Sequence, residues 1–180
     1  APDAIVFEKF YKSVNQLKEP FFSMVLTQTT HEPFDMPFNN RIHNESKQYL
    51  NTVTYLDSTL KKYFTNISKQ KWFKNTIFII TSDHSNIHPN SYQPSSSERF
   101  HIPCIIYSPL LHSKFIDSSF DAIFDQIDIP ATILKQINIG TRPYKWSKNY
   151  FNPYQKKYAF STFINGHLFT TDTLMSTFEY

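Results

Sequence analysis

An α/β fold, with a mostly parallel sheet flanked by helices and an antiparallel β hairpin at the carboxyl end, is predicted by three observations. Short apolar runs bounded by breakers (21–27, 75–81 and 103–108) alternate with segments of helical periodicity. Those runs are continuous rather than alternating, as in strands covered on both faces. Asn165-Gly166 lies between two β-rich runs, 158–163 and 167–171, and is a strong hairpin turn signal.

Each element follows from local chemistry. Pro2 and Asp3 suit a helix start. Ile5, Val6, Phe7, Phe10, Tyr11, Val14 and Leu17 then recur at roughly helical spacing, predicting a helix over about 3–17. Lys18-Glu19-Pro20 breaks it, and F-F-S-M-V-L-T (21–27) follows as a buried strand. Pro33, Pro37 and Asn39-Asn40 make 28–41 a loop. From about 42 to 68 the pattern is helical, with Tyr49, Leu50, Val53, Leu56, Leu60, Tyr63, Phe64 and Ile67 on one apolar face. Trp72 and Phe73 lead into the strand 75–81. The polar, Pro- and Ser-rich stretch 85–98 is a long loop of a kind that is usually functional or mobile. The strand 103–108 is stopped by Pro109. Asp128-Ile129-Pro130 opens a helix to about Ile137, and Gly140 ends it. An aromatic, basic loop (141–156) precedes the hairpin. The order is αβαββα and then the hairpin, with no repeat and no internal domain boundary.

Composition excludes several classes. The chain has 180 residues, 40% hydrophobic and 18% charged, which argues against disorder. Only two glycines are present, so neither a G-x-G-x-x-G nor a Walker A loop exists. The net charge of +3 comes from dispersed lysines, and no nucleic-acid partner is expected. The single cysteine, Cys104, excludes an intrachain disulfide and reads as a buried, inert thiol. No stretch reaches the ~18–20 apolar residues of a membrane span. The opening A-P-D-A-I-V-F-E-K-F reads as a helix in mid-protein, which suggests a fragment.

The chemistry concentrates at strand ends. T-I-F-I-I-T-S-D-H (76–84) runs an apolar strand into adjacent Asp83 and His84. In an α/β sheet, ligands collect beyond the carboxyl ends of strands. A carboxylate and an imidazole there can share one divalent metal; the bland alternative is a capping Asp83 and an exposed His84. His31, in T-T-H-E-P-F (29–34), also stands at a strand's carboxyl end. A neutral imidazole there can donate a hydrogen bond to an anionic substrate oxygen; alternatively it packs in its loop. Arg99 has the fork to clamp a phosphate or sulfate. With parallel strands it lies on the opposite rim, so Arg99 and His101 read as surface or structural. His88 is a minor rim candidate, Tyr55 and Asp57 read as structural, and Asp128 as a helix cap.

In this order the segments resemble the alkaline phosphatase/sulfatase superfamily, and within it the lipoteichoic-acid-synthase-like branch of sulfatase-type phosphotransferases. The resembling stretches are P-F-F-S-M-V-L-T-Q-T-T-H-E-P-F (20–34), Y-L-D-S-T-L-K-K-Y-F (55–64), N-T-I-F-I-I-T-S-D-H (75–84), R-F-H-I-P-C-I-I-Y-S-P (99–109), F-D-Q-I-D-I-P-A-T-I-L (124–134) and Y-A-F-S-T-F-I-N-G (158–166). T-x-x-H-E-P-F and the Asp-His pair are the most specific.

The resemblance implies an alkaline-phosphatase-like fold and metal-assisted covalent transfer or hydrolysis of a phosphate ester. Asp83 and His84 would bind one divalent metal (manganese, zinc or magnesium), and His31 would face the substrate's anionic group. The nucleophile would be an upstream Thr, giving a phospho-threonine, or in true sulfatases a formylglycine made from the Cys of C-x-P-x-R. Neither element stands in residues 1–180, which are expected to be the carboxyl-terminal part of one catalytic domain, inactive alone. The family's usual Gly after Asp-His is Ser85 here, which leaves the loop conformation open. The implied substrate is a phospholipid or glycan head group of phosphoglycerol or phosphoethanolamine type. The implied location is the extracytoplasmic face of the bacterial inner or plasma membrane, with anchoring through missing amino-terminal sequence. The alternatives are a sulfatase or phosphodiesterase of the same fold and, in another class, a non-catalytic binding module.

Overall fold

The computed structural model describes residues 1–37, 44–93 and 95–180. Asn39-Asn40 of the expected loop, residues 42 and 43 of the expected second helix, and Pro94 of the expected long loop lie outside the described residues. The chain divides into two compact units, residues 1–91 with 102–116, and residues 92–101 with 117–180.

The first unit is built on two helices. Helix α1 (Asp3–Val14) buries Phe7 and Val14. Helix α2 (Glu45–Ile67) begins at Asn44, whose side-chain oxygen accepts the Lys47 N–H at 2.9 Å. That bond satisfies one of the donors every helix leaves unpaired at its start. Thr52, Thr59, Tyr63 and Ile67 form the buried stripe of α2. The apolar face therefore differs from the one expected, because Leu50 and Val53 are exposed. Thr52 is tolerated inside because its hydroxyl donates to the Tyr49 carbonyl at 2.7 Å. Phe7, Tyr63, Ile67 and Phe73 form the core, with Val25, Leu56, Phe64 and Phe78 packed around them. Ile67 is wholly buried, which is worth about 1.5–3 kcal/mol. Gln70 Nε2 donates to the Tyr11 hydroxyl at 2.8 Å, and Trp72 Nε1 to Asn15 Oδ1 at 2.8 Å, tying the end of α2 to α1.

Strands β1 (Phe78–Thr81) and β2 (Cys104–Tyr107) pair antiparallel, with Phe78 opposite Tyr107 and Thr81 opposite Cys104. The expected parallel arrangement is thus not found among the described residues. A parallel pair needs a crossover that carries the chain back to the start of the first strand. Among its described residues the connection 82–103 contains only a 3₁₀ turn, Ser97–Phe100, and β2 starts where β1 ends. Residues 21–27, expected as a strand, join no ladder among the described residues. Val25 packs on the core and Phe21 meets Trp72 edge-on, while Phe22, Met24 and Leu26 are 90%, 79% and 76% exposed. Cys104 is exposed rather than buried.

In the second unit, helix α3 (Ile129–Gln136) follows a 3₁₀ turn, Gln126–Asp128. Asp128 is buried, and it is more than a cap. Its carboxylate accepts the Asp125 N–H at 3.1 Å and the Lys148 N–H at 2.8 Å, and pairs with Lys148 Nζ at 3.0 Å. Lys148 Nζ also lies 3.9 Å from the Tyr158 ring centroid. The hairpin is present as β3 (Tyr158–Phe163) and β4 (Gly166–Thr171), and β5 (Met175–Glu179) adds a third antiparallel strand. Phe163 pairs with Gly166, so Ile164 and Asn165 form the loop and Gly166 belongs to β4. Gly is needed there by close approach: a Cβ would strike the Phe178 carbonyl oxygen and the Phe163 ring.

Candidate metal and anion site

Asp83 and His84 stand just beyond the carboxyl end of β1, in the first unit, and both side chains are exposed. Asp83 Oδ1 accepts the His84 N–H at 2.9 Å, which sets the pair side by side. His84 Nδ1 lies 2.8 Å from the Ser85 carbonyl oxygen. A carbonyl only accepts, so Nδ1 carries the proton, and in the neutral ring Nε2 presents its lone pair. Metal-ligating histidines are characteristically held in this way. Nε2 is 3.7 Å from Asp83 Oδ2. Two donors about 2.1 Å from one ion stand roughly 3.0 Å apart in octahedral and 3.4 Å apart in tetrahedral geometry. The pair fits two positions of such a shell after a small side-chain rotation. Among the described residues no third His, Cys, Asp or Glu completes a cluster. Ser85 is not among the residues with positive φ, so the loop here does not require glycine.

His31 is exposed and lies in the turn after residues 28–29. Its N–H donates to the Gln28 carbonyl at 3.0 Å, and its own carbonyl accepts the Phe34 N–H at 2.9 Å. His31 Nδ1 is 2.7 Å from the Glu32 carbonyl oxygen. By the same logic Nδ1 carries the proton. The expectation that a neutral His31 donates to an anion is therefore revised at the exposed nitrogen: Nε2 donates only in the imidazolium form.

The two loops meet through residues that sequence reasoning undervalued. Phe34 is buried at φ 60°, in the left-handed region, and packs edge-on against Tyr49 and His88. His88 is not a rim contact. Its side chain is almost wholly buried, with Nδ1 3.2 Å from Ser46 Oγ and Nε2 3.5 Å from Glu45 Oε2. The loop after Asp83-His84, the loop after His31 and the start of α2 thus share one packed junction. The only signal for it in the sequence is an aromatic three residues after His31 and a histidine four residues after His84.

Arg99 and His101 belong to the second unit, and the opposite-rim argument for them falls because β2 is antiparallel to β1. Cys104 stands opposite Thr81, at the sheet end that carries the pair. Although the residue as a whole is exposed, desolvation pushes its thiol above the usual range, so it is not an activated nucleophile. Tyr55 and Asp57 lie within α2. The Tyr55 hydroxyl accepts the Ala4 N–H at 3.3 Å, a structural role.

Comparison with known proteins supplies what the pair alone does not. The sequence model of the Sulfatase family matches residues 1–139, most of the chain. The chain belongs to the sulfatase family. It is similar to the lipoteichoic acid synthases of Staphylococcus aureus strains USA300, NCTC 8325 and COL, at 26% identity over 159 residues. Each match covers 79% of this chain and 24% of the relative, so the chain spans about a quarter of the length of those relatives. That family lies within the alkaline phosphatase/sulfatase superfamily.

Proposed function

We propose that the protein carrying this chain is a metal-dependent phosphotransferase that handles a phosphoglycerol- or phosphoethanolamine-type head group of the cell envelope. Family membership and the similarity to lipoteichoic acid synthases support the class. The observation that carries the local assignment is the His84 ring, fixed by the Ser85 carbonyl with Nε2 facing outward beside Asp83.

In this reading Asp83 and His84 hold one divalent cation: manganese, zinc or magnesium. When bound, the ion supplies Lewis-acid polarisation of the ester oxygen and lowers the pKa of an attacking hydroxyl. That hydroxyl is assigned to no residue of this chain. Asp83 contributes negative charge, and the Ser85 carbonyl keeps His84 in the ligating tautomer. His31, as the imidazolium, offers Nε2–H to the anionic oxygens of the substrate, a charge-assisted bond that strengthens as negative charge accumulates. The substrate is a lipid or glycan head group, and catalysis takes place on the extracytoplasmic face of the membrane. Among the described residues no helix is long and apolar enough to cross a membrane. A hydrolytic sulfatase or phosphodiesterase is the second reading, favoured by the family description itself.

The assignment is tested by calorimetric titration of manganese and of zinc into the protein and its Asp83→Ala and His84→Ala variants. Loss of metal affinity by tenfold to a hundredfold or more is expected in each. Affinity unchanged in both variants refutes the site. His31→Ala is expected to lower turnover with metal occupancy nearly intact.

A further inference from the structure

Asp3 is wholly buried at the first residue of α1, yet its carboxylate does not cap that helix. The Ile5 and Val6 N–H groups are taken by the Pro2 carbonyl, at 2.9 and 3.3 Å. The carboxylate serves a distant segment instead. Oδ1 accepts the Gln28 N–H at 2.9 Å and Oδ2 the Thr29 N–H at 3.2 Å. In return the Asp3 N–H donates to Thr29 Oγ1 at 3.2 Å. Three bonds therefore fix residues 28 and 29, and the next turn, closed by His31 N–H to the Gln28 carbonyl, presents His31. A buried carboxylate left without donors is costly, and two backbone donors aimed at separate oxygens define an orientation as well as a contact.

We propose that Asp3 is a positioning residue for His31: it anchors the turn so that the imidazole is held ready for an anionic group. The proposal rests on the reading of His31 as the group that faces the substrate anion. Asn at position 3 keeps one acceptor but sets an NH₂ group against the second backbone N–H, so Asp3→Asn tests the anchor with little change in volume.

The experiment is a double-mutant cycle on the intact manganese-loaded protein, with inorganic phosphate as the probe and affinity read by calorimetry. Asp3→Asn is expected to weaken phosphate binding at least fivefold, and the double variant with His31→Ala to bind no more weakly than His31→Ala alone. Effects that add in full overturn the proposal, as does phosphate affinity within twofold of the parent in a folded Asp3→Asn protein. Should Asp3→Asn fail to fold, Thr29→Val removes only the hydroxyl bond, and a smaller loss in the same direction is expected. The second readout is independent of phosphate. Long-range ¹H–¹⁵N spectra of the metal-free protein are expected to show His31 as the Nδ1-protonated tautomer in the parent and as a mixture in Asp3→Asn, with His84 unchanged in both. An unaltered His31 tautomer in Asp3→Asn overturns the positioning role. If His31→Ala leaves phosphate affinity intact, the reading of His31 falls, and the tautomer comparison still decides whether Asp3 sets its ring.

Discussion

Phe34 meets His88 edge-on, with ring centroids 6.0 Å apart and planes at 73°, and this contact joins the loop that carries His31 to the loop that follows Asp83 and His84. Two motifs more than fifty residues apart in the chain are thereby held in one packed junction rather than on independent loops.

The left-handed backbone at Phe34 makes a specific prediction. Phe34→Ala loses the aromatic packing and keeps a side chain at φ 60°; a loss of about 3–5 kcal/mol is expected. Phe34→Gly loses the same packing but relieves the backbone, and is expected to be about 1 kcal/mol more stable than Phe34→Ala. Urea unfolding of the two variants checks this, and an Ala variant more stable than the Gly variant contradicts it.

Beside Asp83, the group that orients His84 is a backbone carbonyl, so the identity of residue 85 should matter little for the proposed metal site. Ser85→Gly is expected to leave manganese affinity within about threefold, whereas His84→Ala lowers it by at least the tenfold typical of a disturbed ligand shell. Calorimetry on the two variants decides, and a Ser85→Gly protein as impaired as His84→Ala would mean that the side chain has a role of its own.

In the second unit, Lys148 and Asp128 form a buried pair. Lys148→Ala strands a buried carboxylate and should cost about 3–5 kcal/mol. Replacing both by Met and Leu, similar in bulk to the originals, should cost less than the single change, though Asp128 would also leave the Asp125 and Lys148 N–H groups unserved. Thermal denaturation of the three proteins is the measurement.

Tyr63 gives a pH dependence. Burial in the core pushes its phenol up to about 12, against 10 for a free tyrosine. The unfolded chain therefore gives up this proton first as pH rises. The stabilising contribution is complete below pH 10 and is lost progressively as pH climbs through the folded value. Stability followed from pH 9 to 12 should fall less steeply for Tyr63→Phe, and absorbance at alkaline pH should show one late-titrating tyrosine that is missing in the variant. Equal slopes would mean that Tyr63 ionises freely in the folded state.

The helices were legible because caps and periodicity are local: α1 and α2 run close to the spans read from the sequence. Strand direction was not. A continuous apolar run predicts a strand covered on both faces, yet β2 is exposed at Cys104, Ile105 and Tyr107. Nor does the run say which way its partner lies: β1 and β2 are antiparallel, with no return helix among the described residues of their connection. Strand β5 was missed because all its residues are exposed, so no burial pattern marks it. The turn signal at Asn165-Gly166 placed the hairpin but not its register, since the glycine answers to a steric demand from β5. At the site, Asp83 and His84 were visible as neighbours at a strand end. Asp3 was not, because nothing near it in sequence reveals a bond partner 25 residues away.

The pairing of Thr81 with Cys104 has a last consequence. The excursion from 82 to 103 leaves the sheet and re-enters it at the same end, so it is a closed handle on a two-stranded clasp. Doubling the length of such a handle costs only about 0.6 kcal/mol in closure entropy. Residues 92–101 pack in the second unit, so changes of length are tolerated only outside that packed stretch while the register of β1 and β2 is kept. The clasp that presents Asp83 and His84 therefore keeps its register while the handle changes length outside its packed part.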